Sequence, residues 1–177
     1  MSLLVVGVAD CRIAKSPGEV LVTYALGSCI GVAAFDPHSG IGGLLHFMLP
    51  DSSIDPERGR GNPYKFADTG IPRMLADMAL EGANCRRLVV RIAGGAQIMN
   101  PCGVFDIGRR NHQALRRLLW KAGLLIHGEA IGGDCSRSVR MEAGSGRLWL
   151  RLGSGLEQEM PSAGLLVKGD RQWLTVS

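Results

Sequence analysis

The chain has 177 residues, of which 46% are hydrophobic and 20% charged, so it can form one domain, residues 1–177, with a core of its own. The formal net charge of +4 is a mild excess that suits acidic partners, and without a recognised binding module it does not indicate a nucleic-acid partner. The 25 glycines lie scattered among apolar runs, which is typical of short strands and tight turns and excludes a collagen-like or disordered chain.

Cysteine usage indicates the compartment. The five cysteines cannot all pair within one chain, form no C-x-x-C motif and lie at no zinc-ligand spacing from the four histidines, so no metal site is predicted. The N-terminus lacks the basic segment of a signal peptide, and no apolar run is long enough to span a membrane. We therefore expect a cytoplasmic protein with free thiols, no membrane insertion and no cofactor.

The first half of the chain predicts strands, a hairpin and a helix. Valine-rich runs at 3–8 and 20–26 are typical of strands, and residues 29–49 form a predicted β-hairpin around the turn-forming "DPHSG". Residues 51–65 are polar and rich in glycine and proline, which favours a surface loop that could form the rim of a binding site. Helical spacing in 67–85 predicts a helix capped by Thr69, with Pro72 in its first turn and Gly82 at its end.

The second half of the chain predicts further strands and a second long helix. "RLVVRIAGG" predicts a strand that ends in a packing turn at Gly94 and Gly95, an anion cradle being the alternative. "NHQALRRLLWKAG" predicts a basic amphipathic helix capped by Asn111, followed by a strand, a hairpin over 137–152 and one or two short strands in the tail. Both helices need a sheet to cover, so the fold class is α+β, with mostly antiparallel or mixed sheets and two main helices on one face.

The hairpin brings Cys29 towards His46. A cysteine nucleophile needs a base within hydrogen-bond reach, and a histidine supplies one. A four-residue loop, 36–39, places Cys29 directly opposite His46, whereas a five-residue loop, 36–40, points the two side chains to opposite faces. A bulge at Gly42–Gly43 would restore the first arrangement. An inert buried cysteine and a buried histidine are the alternatives.

Residues around Cys29 strengthen the nucleophile hypothesis. Gly27 and Gly31 permit a close backbone approach, and the amides of Ser28, Cys29 and Ile30 could donate to an oxyanion. Thr23 could accept a hydrogen bond from one ring nitrogen of His46 and so set its tautomer, although an ordinary strand threonine is the alternative.

These motifs together resemble a known family. "T-x-x-L-G-S-C-I-G-V" from Thr23, "GIGGLLHFMLPDS", "YKFADTGIPRML", "RIAGGAQIM", "DIGRRN" and "GGDCSRSVRMEAGSGRLWLR" occur in the order of the CheD family of chemoreceptor glutamine deamidases. The segment 23–52 is the specific part of the resemblance. Tyr24-Ala25 departs from the Leu-Gly common there, and 97–106 carries an unusual Pro-Cys-Gly with apolar residues suited to docking.

The resemblance implies an α/β/β layered sandwich with a Cys-His-Thr site at Cys29, His46 and Thr23. It implies hydrolysis of glutamine side chains on the cytoplasmic helices of methyl-accepting chemotaxis receptors, together with receptor methylester hydrolysis and, in some species, a CheC-type phosphatase partner. A non-catalytic adaptor that binds a receptor or that phosphatase is the alternative.

Overall fold

The structure, a computed structural model, describes residues 2–97 and 106–161 and the backbone of two short strands beyond them. The strands are β1 (Ser2–Val5), β2 (Asp10–Ala14), β3 (Glu19–Leu26), β4 (Ile30–Phe35), β5 (Gly42–Phe47), β6 (Val89–Gly94), β7 (Ile126–Ile131), β8 (Arg137–Glu142), β9 (Leu148–Leu152), β10 (Glu157–Met160), β11 (Gly164–Leu166) and β12 (Trp173–Leu174). The α-helices are α1 (Pro56–Gly61), α2 (Ala67–Leu80) and α3 (Ile107–Lys121), and short 3₁₀ helices occupy Ser52–Ile54, Pro63–Lys65 and Cys85–Arg87.

Two sheets pack face to face, and α2 and α3 cover the free face of the larger one. The smaller sheet has the order β1-β3-β8-β9-β10, and the larger has the order β12-β11-β7-β6-β4-β5-β2. Apolar residues of the helices pack on the larger sheet at Ile71, Met74, Met78, Leu115 and Leu119. The core between the sheets includes Leu21, Ala33, Leu44, Met141 and Leu148. The structure confirms the predicted α+β fold, an α/β/β layered sandwich with mixed sheets.

The loop of the first hairpin is longer than predicted. Phe35 pairs with Gly42, which leaves a loop of residues 36–41. The buried carboxylate of Asp36 organises this loop, because it accepts hydrogen bonds from the His38 amide and the Ser39 hydroxyl. Arg87, about 50 residues further along the chain, donates to the same carboxylate at 2.6 and 3.0 Å and holds the pKa of Asp36 well below its usual range. A distant arginine therefore stabilises the loop that sets the hairpin register.

Both long helices begin earlier than predicted. Helix α2 starts at Ala67, so Thr69 lies inside it, and its hydroxyl donates to the Pro63 carbonyl instead of capping. Pro72 is likewise inside α2 and removes the amide that would otherwise bond to residue 68. Helix α3 starts at Ile107, and the Asp106 carboxylate caps it by accepting from the Arg109 amide. Asn111, the predicted cap, is a buried residue within the helix.

The helix and hairpin ends that depend on glycine agree with the sequence. Gly82 and Gly123 follow the ends of α2 and α3 with φ values of 104° and 71°, the left-handed conformation that suits a helix C-terminus. In the second hairpin Val139 faces Leu150 and Met141 faces Leu148, as the alternation predicts. Strands β11 and β12 confirm the short strands predicted in the tail.

Residues 51–65 are three short helical segments, so the prediction of a plain loop was wrong. Asp51, Asp55 and Asn62 each cap one segment by accepting from a backbone amide two or three residues ahead. Pro56 and Pro63 occupy first-turn positions, where a missing amide costs nothing. Local capping thus makes this polar segment helical.

None of the helices in the described residues is long and apolar enough to cross a membrane.

Ala25 adopts a left-handed backbone conformation with φ 55°, at a register shift between Thr23 and Leu26 in the pairing of β3 with β8. A residue with a side chain costs roughly 1–2 kcal/mol in this conformation. Glycine avoids that cost but loses more conformational entropy on folding, which cancels part of the gain. We expect Ala25→Gly to raise the free energy of unfolding by about 0.5–1 kcal/mol in urea titrations. Ala76→Gly, at an exposed position of α2, is the matched control and should lower it by a similar amount. A loss of stability in both variants would contradict the strain at Ala25.

Candidate active site

The hairpin places Cys29 and His46 on one side of the larger sheet. His46 faces Gly31 across the strand pair, so neither predicted register is the observed one, and Cys29 is not directly opposite His46. Cys29 lies in the bend before β4 and packs against the cluster of Ala33 and Leu44, so it is on the same side of the sheet as His46. The pairing runs without a shift past Gly42 and Gly43, so no bulge is involved. A Cβ on Gly31 would lie 2.9 Å from Cδ1 of Leu26, so the packing of Leu26 against β4 requires glycine there.

Cys29 lies at the margin of the core between the two sheets. It is half-buried and packs against the apolar cluster that contains Leu26, Ala33 and Leu44. His46 is 1% exposed and belongs to the same face of β5 as Leu44. Thr23, on β3 of the smaller sheet, is fully buried. The packing of one sheet on the other therefore brings Thr23 to the histidine.

Thr23 determines the tautomer of His46. Its hydroxyl donates to the Val6 carbonyl at 2.9 Å and lies 2.8 Å from Nδ1 of His46. A hydroxyl can donate only one hydrogen bond, and the Thr23 hydroxyl donates it to the Val6 carbonyl. The threonine oxygen must therefore accept a hydrogen bond from Nδ1–H of His46. Nε2 then carries a lone pair, and this buried nitrogen has no hydrogen-bond partner among the described residues. The predicted contact between Thr23 and the ring is present, and it leaves Nε2 able to accept a proton.

Burial keeps the Cys29 thiol and the His46 imidazole neutral. It lowers the pKa of His46 to about 4, so the imidazole is uncharged at neutral pH. Burial also raises the pKa of the Cys29 thiol, an effect that its own backbone amide partly offsets. The pair at rest is a thiol and a neutral imidazole rather than an ion pair, so a base must remove the thiol proton before attack.

The backbone before β4 is anchored by its carbonyls. The carbonyl of Gly27 accepts from the Ala96 amide at 2.8 Å, and that of Cys29 accepts from the Gly95 amide at 2.9 Å. A side chain on Gly94 would approach the Cys29 oxygen to 2.2 Å, so only glycine fits there. The Gly94–Gly95 turn therefore packs against the cysteine segment, as predicted, and the Gly95 amide donates to it.

The predicted oxyanion donors differ in their surroundings. The Ser28 amide donates to no described residue. Ile30, in contrast, is the first residue of β4 and pairs with Phe47 on one side and Gly94 on the other. Within the described ranges the amide of Ser28 thus has no acceptor, whereas Ile30 belongs to the sheet.

Two residues at the site were not predicted from the sequence. The Val6 carbonyl accepts a hydrogen bond from the Thr23 hydroxyl, a backbone contact that residue type does not reveal. Asn111 lies on α3 and donates to the carbonyls of Ser28 and Met48. A signal for Asn111 does exist, because it precedes the buried Leu115 and Leu119 at intervals of four and so shares the apolar face of the helix.

Other sequence features lie away from this site or outside the described residues. Cys11, Cys85 and Cys135 are free thiols like Cys29. The docking residues expected in 97–106 fall almost entirely within 98–105, outside the described residues. The basic residues of α3 are exposed, as a solvated helix face predicts; they are Arg109, Arg110, Arg116, Arg117 and Lys121.

Comparison with known proteins gives a consistent result. Residues 48–152 match the family model described as "CheD chemotactic sensory transduction". The chain is 59% identical over 162 residues, 92% of its length and 96% of the relative's, to a probable chemoreceptor glutamine deamidase CheD of Solibacter usitatus. It is 42% identical over 160 residues, 90% of its length and 100% of the relative's, to probable chemoreceptor glutamine deamidase CheD 1 of Syntrophus aciditrophicus. With this coverage of chain and relatives alike, the protein belongs to the CheD family.

Proposed function

We propose that this chain is a chemoreceptor glutamine deamidase, a cysteine-dependent amidohydrolase whose single domain spans residues 1–177. The observation that carries the proposal is that Nε2 of His46 has no hydrogen-bond partner among the described residues. Because Nδ1–H donates to Thr23, Nε2 can accept a proton on the side of the sheet where Cys29 lies. The names of its relatives support the substrate class, the glutamine side chains of chemotaxis receptors. This substrate lies on the cytoplasmic helices of the receptors, so the proposal places the protein in the cytoplasm.

In the proposed mechanism His46 acts first as base and then as acid. Nε2 takes the Cys29 proton as the sulfur attacks the carboxamide carbon, and backbone amides, that of Ser28 first, stabilise the oxyanion. The protonated ring then gives its proton to the departing ammonia, which leaves a thioester. Water, deprotonated by Nε2, attacks the thioester; glutamate leaves and Cys29 recovers its proton. No step needs a metal or an organic cofactor.

The same site would hydrolyse receptor methylesters. Attack on a glutamyl methylester forms the same thioester, and the leaving group is methanol instead of ammonia. His46 would protonate it from the same position, so the two activities would depend on the same residues.

Charge suits the proposed substrate. The exposed arginines of α3 form a basic face, and acidic receptor helices would be attracted to it. The buried side of the same helix is joined to the segment before Cys29, because Asn111 donates to the Ser28 carbonyl. A CheC-type phosphatase is a second proposed partner.

Purified protein incubated with a receptor cytoplasmic fragment tests the proposal. We expect mass spectrometry to show conversion of specific glutamines to glutamate, blocked when Cys29 is alkylated beforehand. A methyl-esterified fragment in a parallel reaction reports the esterase activity. Binding of the fragment without any conversion would overturn the proposal and favour the adaptor, and cleavage of the fragment backbone would indicate a peptidase.

A further inference from the structure

Asn111 is a buried polar residue to which the proposed mechanism assigns no role. It is fully buried on α3, and Nδ2 donates to the Ser28 carbonyl at 3.0 Å and to the Met48 carbonyl at 2.8 Å. An amide nitrogen has two protons, so both are used. One side chain thus joins two backbone segments that are 20 residues apart in the chain.

The two segments are those that carry the nucleophile and its base. Ser28 immediately precedes Cys29, and Met48 follows His46 by two residues. The pairing of β4 with β5 ends at Ile30 and Phe47, so no strand pairing between β4 and β5 holds Cys29 against the segment of His46. Asn111 joins the two chain segments just beyond the last paired residues, where the strands no longer hydrogen-bond to each other.

A role in stability alone accounts poorly for this residue. Leu115, one turn further along α3, already buries the same face of the helix with a fully buried side chain. The Oδ1 atom of Asn111 is buried and has no hydrogen-bond partner among the described residues. A buried acceptor without a partner is unfavourable, so the two hydrogen bonds that Nδ2 donates come with a cost in stability.

We propose that Asn111 is a positioning residue that holds Cys29 in register with Nε2 of His46. The inference rests on the proposed function, because it assigns these two residues to nucleophile and base. Since a displacement of about 1 Å at a reacting group can cost about a hundredfold in rate, one bridge at this point is sufficient to control the chemistry. Asn111 acts through the other two residues and need not contact the substrate.

A double-mutant cycle on the reactivity of Cys29 tests the proposal without a receptor. The rate at which iodoacetamide alkylates Cys29 at pH 7 is read by mass spectrometry of the peptide that contains it, in Asn111→Ala, His46→Ala and the double variant. We expect Asn111→Ala to slow alkylation about tenfold when His46 is present and less than twofold when it is absent, because contacting groups that act together are not additive. An equal factor in both backgrounds would overturn the proposal, as would an unchanged rate in Asn111→Ala.

Two further variants separate positioning from folding. Asn111→Leu keeps the size of the side chain and removes both donors, so it should fold, as judged by circular dichroism, and still reproduce the loss. Leu115→Ala weakens the packing of α3 without touching either carbonyl and should leave the alkylation rate within about twofold of the wild-type rate. An equal loss in Leu115→Ala would show that Asn111 merely supports the helix and would overturn the proposal.

Receptor deamidation then separates this inference from the proposed function. We expect Asn111→Leu to lower kcat about tenfold or more and to leave KM within about twofold, because a positioning residue acts on the chemical step. A rise in KM with kcat unchanged would contradict positioning. Absence of deamidation by the wild-type protein, with the alkylation cycle as expected, would overturn the proposed function and leave the role of Asn111 standing.

Discussion

Cys29→Ala is expected to lower the rate of receptor glutamine deamidation by more than about 10³-fold, because it removes the proposed nucleophile that forms the acyl intermediate. The loss should appear in kcat, whereas binding of the receptor fragment should remain, since a half-buried sulfur adds little contact area. The measurement is the initial rate of glutamate formation by mass spectrometry, together with co-sedimentation of the fragment.

Cys135→Ala is the matched control for this prediction. Cys135 is an exposed free thiol outside the site, so its removal should leave the rate within about twofold. Cys85→Ala extends the control to a half-buried thiol, whose sulfur donates to the Leu75 carbonyl. Retention of most activity in Cys29→Ala, or its loss in Cys135→Ala, would exclude Cys29 as the nucleophile.

His46→Ala is expected to reduce the deamidation rate by about 10²–10⁴-fold, the range for loss of a general base and acid. The remaining thiol has a raised pKa because it is buried, so without the histidine little thiolate forms at neutral pH. His38→Ala provides the control, because His38 lies exposed in the loop of the same hairpin and contacts Asp36 through its backbone amide only. Equal losses in the two variants would indicate a general effect on the hairpin.

The pH dependence of the wild-type protein follows from the same histidine. Burial lowers the pKa of His46 to about 4, so the neutral base is present above that pH, and activity should fall as the pH decreases through about 4. An unperturbed histidine would instead lose activity near pH 6.5. A depressed histidine pKa also means that stability decreases as the pH falls below the unfolded value, so circular dichroism must show folded protein at each pH. An acid limb near pH 6.5 in folded protein would contradict a buried neutral His46.

Much of the fold was predictable because its signals are local. Alternating apolar residues predicted the hairpin over 137–152, and glycine after each long helix predicted where the helices end. Helix starts were less predictable, because several residues can cap. Asn111 and Thr69 are good caps by type, yet Asp106 caps α3 and Phe66 precedes α2 without a side-chain bond.

The sequence nominated the candidate site residues, but it did not predict the register of the hairpin that carries them. Spacing within the hairpin nominated Cys29 and His46, and Thr23 was nominated as the group that sets the tautomer. The observed register depends on Asp36, whose carboxylate is held by Arg87 from a distant part of the chain. No count of residues within the hairpin contains that interaction.

The sequence by itself determined the class of fold, the identity of the candidate nucleophile and base, and membership of the family, because hydrophobic periodicity, turn residues and short motifs are written in neighbouring positions. Only the tertiary structure decided which ring nitrogen of His46 is free, how the hairpin pairs, and that Asn111 joins the segments of Cys29 and His46. Each of these depends on contacts between residues distant in the chain: Thr23 with Val6 and His46, Asp36 with Arg87, and α3 with the end of β5. Such contacts form only when the two sheets and the helix pack together, and residue types in a linear sequence do not specify them.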